Sequence, residues 1–159
     1  MKISILCVGR IKEKYWNDAI DEYSKRLSRY CKLEICQVAD EKTPDKAPEA
    51  LENQIKAKEG ARLMAKMDPA ALKVALAIDG KKLDSPGLAA GIEKAGLSGI
   101  SHIQFIIGGS LGLSEEVLRA SDKRLSFSDM TFPHQMMRVI LLEQIYRAYK
   151  ITSGEPYHK

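Results

Sequence analysis

Three short apolar runs in this chain stop at glycine, and each leads on to a stretch with helical spacing. Lys2 to Val8 ends at Gly9, Lys73 to Ile78 at Asp79-Gly80, and His102 to Ile107 at Gly108-Gly109. Runs this short that are apolar at successive positions, not alternate ones, suit strands covered on both faces. Leu33 to Ala39 and Arg124 to Phe127 predict two more strands. Between them, Glu13 to Tyr30 places Tyr15, Ala19, Tyr23, Leu27 and Tyr30 at three- to four-residue spacing, and Glu49 to Met67 repeats the pattern until Asp68-Pro69 stops it. Ser85-Pro86 predicts an N-cap with proline at the first helical position, for a helix reaching about Ala95. Ser114 followed by Glu115-Glu116 predicts another helix start, and Pro133 to Lys150 a last helix. Asp79-Gly80 is expected to end its strand in a turn. The alternation predicts an α/β fold, a mostly parallel sheet flanked by helices.

The chain's 159 residues suit one domain spanning 1–159. At 45% hydrophobic and 29% charged residues, collagen-like, disordered and membrane-embedded classes are poor fits. The 25 Lys+Arg less 21 Asp+Glu leave +4, which permits an anionic partner but lacks the dense basic footprint of an autonomous nucleic-acid binder. Cys7, Cys31 and Cys36 are an odd set without C-x-x-C spacing, as expected for free thiols. The apolar opening run is too short for a signal peptide, and no stretch approaches a membrane span. These features predict a cytoplasmic protein.

The last helix carries Met136, Met137, Val139, Ile140, Leu141, Leu142, Ile145, Tyr146 and Tyr149 over most of its circumference. A helix apolar on nearly every face must be covered on nearly every face. Either a homodimer packs through it, or it lies centrally within one chain.

Ligands of open parallel sheets bind beyond the carboxyl ends of the strands. Three such ends stand out: Ala77 to Gly80, Ile107 to Gly112, and Ser126 to Phe132. Glycine lets backbone approach a ligand, and Ser and Thr hydroxyls beside Met and Phe suit a flat heterocycle whose edge is read by main-chain atoms. Neither G-x-G-x-x-G after the first strand nor G-x-x-x-x-G-K-[ST] is present, which disfavours a dinucleotide or P-loop site. Gly108-Gly109-Ser110-Leu111-Gly112 does match G-x-S-x-G, with Asp129 and His134 following in the chain order of a hydrolase triad. The helix cap at Ser114 leaves a loop where that triad needs an immediate strand-to-helix elbow. His102, His134 and His158 are too far apart in sequence for metal-ligand spacing, so no metal is expected. The tail Gly154 to Lys159 has the composition of a frayed terminus, yet its aromatic and basic residues could also stack on and neutralise RNA.

Several ordered motifs together resemble one family. Ile106-Ile107-Gly108-Gly109 with Gly112-Leu113-Ser114, then Leu125 to His134, Arg138-Val139, Glu143 to Ala148 and finally Pro156-Tyr157-His158 resemble the RlmH family. These are ribosomal large-subunit pseudouridine N3-methyltransferases of the SPOUT superfamily. The likeness covers the whole chain, and implies a C-terminal trefoil knot over roughly residues 73–159 and a homodimer. It implies S-adenosylmethionine as methyl donor, held by Leu76, Gly108, Phe127, Ser128, Asp129, Met130, Thr131 and Phe132. The implied substrate is a pseudouridine in the intersubunit-bridge hairpin of 23S rRNA on the assembled ribosome. On this basis His158 is expected beside the acceptor base as proton acceptor or orienting group, with Tyr157 stacking and Arg138 or Arg147 contacting phosphate. A ribosome-associated assembly factor without enzymatic activity is the alternative from another class.

Overall fold

The apolar runs become β1 (Lys2–Val8), β2 (Lys32–Val38), β3 (Leu72–Lys82), β4 (His102–Ile107) and β5 (Lys123–Ser126) in a computed structural model that describes residues 1–159. The sheet order is β2-β1-β4-β3-β5, with every neighbouring pair parallel. Helices α1 (Lys14–Leu27), α2 (Glu49–Met64), α3 (Ser85–Leu97) and α4 (Glu115–Ala120) supply the crossovers, and α5 (His134–Thr152) follows the last strand. Ile3, Ile5 and Cys7 point with Ile103, Phe105 and Ile107 into the main core beneath α1, α3 and α5, whereas Leu6, Val8 and Ile106 meet Leu63 of α2 and Val117 of α4 on the other face. The strands are therefore apolar at nearly every position because both faces are roofed.

β3 departs from expectation. It does not end at Asp79-Gly80 but runs on to Lys82, and its pairing with β5 slips: Leu125 pairs with both Leu76 and Lys81. The residues between bulge out of the ladder. Gly80 makes this possible, since a Cβ there would lie 2.7 Å from the Leu125 backbone. Helix α3 is capped one residue earlier than predicted, by Asp84, whose carboxylate accepts from the Gly87 amide at 2.7 Å. Ser85, displaced from the cap, donates to Gln144 Oε1 on α5 at 2.6 Å.

α5 packs against α1, α3 and the sheet, and Leu141, Leu142, Ile145, Tyr146 and Ala148 are buried within the chain. Central burial thus covers much of its circumference. Truncating one of the fully enclosed residues, Leu141 or Leu142, to alanine should cost about 2–5 kcal/mol. Met136, Met137, Val139 and Ile140 stay half-exposed near the helix start.

On the α2 face, the N-terminal half of the sheet holds a buried polar chain. Ser4 Oγ lies 2.7 Å from His102 Nε2, His102 Nδ1 lies 3.0 Å from Asp68 Oδ2, and the Asp68 amide donates to Gln104 Oε1 at 2.8 Å. His102 is a structural residue. No helix is long and apolar enough to cross a membrane.

Candidate functional site

The carboxyl ends of β3, β4 and β5 converge on a cavity of about 740 Å³, within the range that small-molecule sites occupy. Leu76 to Ile78 form one wall, the Ile107 to Leu113 loop a second, and Leu125 to Ser128 with Met130 to Gln135 a third. All three strand ends singled out in the sequence meet here. Leu76, Gly108, Phe127, Ser128, Met130, Thr131 and Phe132 line the cavity; Asp129 does not, because its carboxylate turns away to Lys82 Nζ at 2.6 Å. Leu113, Leu118, Gln135 and Met137 also line it. Their contribution comes from the loop path after β4 and the entry angle of α5, which periodicity does not reveal.

Gly108 is dictated by this path. A Cβ at that position would stand 2.6 Å from the Gly112 carbonyl carbon, so the loop folds back onto Gly108 with no room for a side chain. The bare backbone left facing the cavity can read the polar edge of a ligand while Leu76, Phe127, Met130 and Phe132 cover its apolar faces.

The hydrolase constellation does not assemble. Asp129 is ion-paired to Lys82, and His134 Nδ1 is buried without a hydrogen-bond partner, so no aspartate orients that ring. His134 does line the cavity at the first turn of α5. Burial, then the neighbouring Arg138, holds its imidazole below the ordinary histidine range, and Asp40 and Glu13 oppose this only in part.

Arg138 is a correction. Expected at an RNA phosphate, it is 1% exposed, and its Nη2 donates to the Val8 and Gly9 carbonyls at 2.7 and 2.9 Å. It ties the start of α5 to the end of β1 and presents nothing to solvent. Glu59 is buried likewise behind the Gly108–Gly112 loop: its Oε2 accepts from the Glu41 amide, its Oε1 has no partner, and burial pushes its carboxyl above the ordinary range.

The tail is not frayed. Tyr157 donates to Glu143 Oε1 at 3.1 Å and sets its ring edge-on to Tyr146, with the Arg147 guanidinium 4.7 Å from the ring centroid. Arg147 also pairs with Glu143, through Nη2 at 2.6 Å and Nε at 3.0 Å. Upstream, Glu155 accepts from Tyr30 at 2.7 Å and from Lys150 at 2.6 Å. Glu143, given no role in the sequence reading, is the anchor; its i,i+4 relation to Arg147 was the available signal. Arg147 Nη1 lies 3.3 Å from His158 Nδ1, and since guanidinium cannot accept, a hydrogen bond here has Nδ1 as its acceptor.

His158 lines a second cavity, of about 530 Å³, between the start of α3 and α5. Leu125, Ser126 and Phe127 line both cavities, so the tail stands one strand end away from the first.

A family model described as "Predicted SPOUT methyltransferase" matches residues 1–158. The chain belongs to the SPOUT methyltransferase family. Within it, the chain is 65% identical over 159 residues to "Ribosomal RNA large subunit methyltransferase H" of Bifidobacterium adolescentis, with 100% of both chains covered. A protein of the same name from Clostridium novyi is 60% identical over the same span, again with 100% of both covered. This full-length likeness places the chain in the RlmH family. Two solved structures share this fold at low identity. A probable methylase family protein from Haemophilus influenzae gives a TM-score of 0.53 at 12% identity, over 99% of this chain and 70% of that one. A putative methyltransferase from Legionella pneumophila, solved with bound cofactor SAM, gives 0.51 at 13%, over 94% and 66%.

Proposed function

We propose that this SPOUT methyltransferase transfers a methyl group from S-adenosylmethionine to large-subunit ribosomal RNA, at N3 of a pseudouridine in the intersubunit-bridge hairpin of 23S rRNA on assembled ribosomes. The observation that carries this reading is the junction of the two cavities at Phe127, one walled by the glycine loop and the other by the tail. The first fits the methyl donor in size, in its exposed backbone at Gly108, and in the apolar side chains on either side. Leu76, Gly108, Phe127, Ser128, Met130, Thr131 and Phe132 would hold it; Asp129 contributes at the rim, through Lys82. When bound, its sulfonium supplies an electrophilic methyl without a metal.

The protein's part is to position the acceptor nitrogen and ease loss of its proton. With Nδ1 engaged by Arg147, His158 offers Nε2–H, a donor. It acts as an orienting group in place of a proton acceptor: donation to a carbonyl of the base spreads the negative charge that deprotonation leaves there, with Arg147 behind it. Tyr157, its ring already held by Arg147 and Tyr146, anchors the tail instead of stacking on the base.

A homodimer completes this unit. Half-exposed Met137 shares the first cavity with Ile78 and Met130, and Ile140 shares the second with Leu83; Ile78, Leu83 and Met130 are 60%, 41% and 73% exposed, and a second copy would cover them. The trefoil knot spans roughly residues 73–159 of the single domain, and the protein acts in the cytoplasm.

Incubating purified protein with ribosomes and methyl-labelled S-adenosylmethionine tests the central claim. Label in the 23S hairpin is the expected result; ribosome binding without transfer would establish the assembly-factor alternative.

A further inference from the structure

The modest excess of positive charge is not evenly spread. From Tyr23 to Leu33 there is no acidic residue, and Lys25, Arg26, Arg29 and Lys32 match in number the whole chain's excess of four. All four are exposed. Lys25, Arg29 and Lys32 form no ion pair, and only Arg26 has a carboxylate, Glu22. Cations in the last turn of a helix favour its dipole, which would account for Lys25 and Arg26. That effect does not reach Arg29 and Lys32, which lie beyond the end of α1 at Leu27. Like charges three and four residues apart repel, and only the Glu22 carboxylate beside Arg26 offsets this set with an opposite charge.

Two of the four are held in place by aromatic rings. The Arg26 guanidinium lies 5.5 Å from the centroid of Tyr23 and 5.8 Å from that of Tyr146, and Arg29 lies 5.8 Å from that of Tyr30. Guanidinium groups laid on rings are pre-oriented while their outer N–H groups stay free. The same rings lead to the site: Lys150 sits over Tyr30 and Tyr146, Tyr146 meets Tyr157 edge-on, and Arg147 bridges Tyr157 and His158. A continuous cationic and aromatic band thus joins the end of α1 to the second cavity.

We infer that Lys25, Arg26, Arg29 and Lys32 form a phosphate-binding strip that holds the RNA backbone on its way to the Arg147–His158 end of the site. The inference rests on the ribosomal RNA reading above. It reconciles a nearly balanced chain with a polyanionic substrate: the excess is gathered where the backbone must pass, so discrimination is left to the composite ribosomal surface.

The experiment uses the full-length protein as wild type, as Lys25→Gln/Arg29→Gln, and as the charge-preserving Lys25→Arg/Arg29→Lys. Sedimentation with ribosomes gives affinity across a salt series, and methyl transfer gives KM and kcat. In the glutamine variant, affinity should fall several-fold, the slope of log K against log salt should become shallower by about 1.5, and KM should rise with kcat and S-adenosylmethionine affinity unchanged. The charge-preserving variant should behave as wild type. Equal affinity and slope in the glutamine variant would overturn the strip. Weakened binding with an unchanged slope would also overturn it, as the mark of a ribosomal-protein contact. If the wild type transfers no methyl while the slopes still differ, the methyltransferase reading fails and the strip stands.

Discussion

At the N-terminal half of the strands, Ser4, His102, Asp68 and Gln104 are linked in a chain in which each buried polar atom has a partner. At the C-terminal end, Glu13 Oε2, Glu59 Oε1, His134 Nδ1 and two nitrogens of Arg138 are buried without one. The residue types are similar, and the difference is one of use. Unpaired buried polar groups are costly, so a fold keeps them where something other than stability is served. Here they lie behind the glycine loop and the start of α5, the two segments that shape the first cavity. The polar chain ties α2's exit to β1 and β4; of the unpaired groups, His134 alone lines the cavity, while Arg138 and Glu59 back the segments that shape it.

Substitutions at the two ends should therefore separate binding from stability. The largest effect is expected of Gly108→Val, whose side chain must displace the Gly112 backbone. S-adenosylmethionine affinity, measured by calorimetry, should fall by about two orders of magnitude or more, at roughly 1.4 kcal/mol per factor of ten. Unchanged affinity would remove the cavity from the proposed mechanism. Next comes deletion of Pro156 to Lys159, which takes away Tyr157 and His158. Methyl transfer should be abolished while S-adenosylmethionine affinity stays within about threefold; normal turnover by the truncated protein would leave the tail without a role.

His102→Ala should do the reverse. It leaves the buried Ser4 hydroxyl and the Asp68 carboxylate without a shared partner, at a cost of about 1–3 kcal/mol in urea unfolding. Activity per folded molecule should hold. A loss of cofactor affinity as large as that of Gly108→Val would erase the distinction between the two ends.

How far the sequence foretells each end follows from the range of the interactions. β1 and β4 have the predicted limits, because a β-branched run closed by glycine is a local signal. The three loops that meet at the cavity were also legible, since parallel strands place their carboxyl ends on one side. The β3 bulge was not, as it depends on β5 lying close enough to exclude a side chain at Gly80. Arg138 shares the helical spacing of buried Leu141, Leu142 and Ile145, so its inward direction was legible, but nothing local tells that the Val8 and Gly9 carbonyls await it. The docked tail depends on Tyr30, Glu143 and Tyr146, so composition alone describes a frayed end.

The smallest expected effect is in pH, where the two ends titrate in different windows. His134 has its folded pKa lowered below the ordinary 6.5, by burial and then Arg138, so the unfolded chain binds its proton first. Its share of stability is complete above pH 6.5 and lost as pH falls through that value toward the folded pKa. Asp68 is lowered below 3.8, by the Ala70 amide and then His102, so its share is complete above 3.8 and lost only in stronger acid. Melting temperatures followed from about pH 7.5 to about pH 3 in wild type, His134→Gln and His102→Ala check this. His134→Gln should flatten the curve below pH 6.5 and leave the acid limb alone. His102→Ala should soften only the acid limb, and only in part, because the Ala70 amide still holds the carboxylate. A flattening below pH 6.5 that appears with His102→Ala and not with His134→Gln would assign the uncompensated histidine to the wrong end of the sheet.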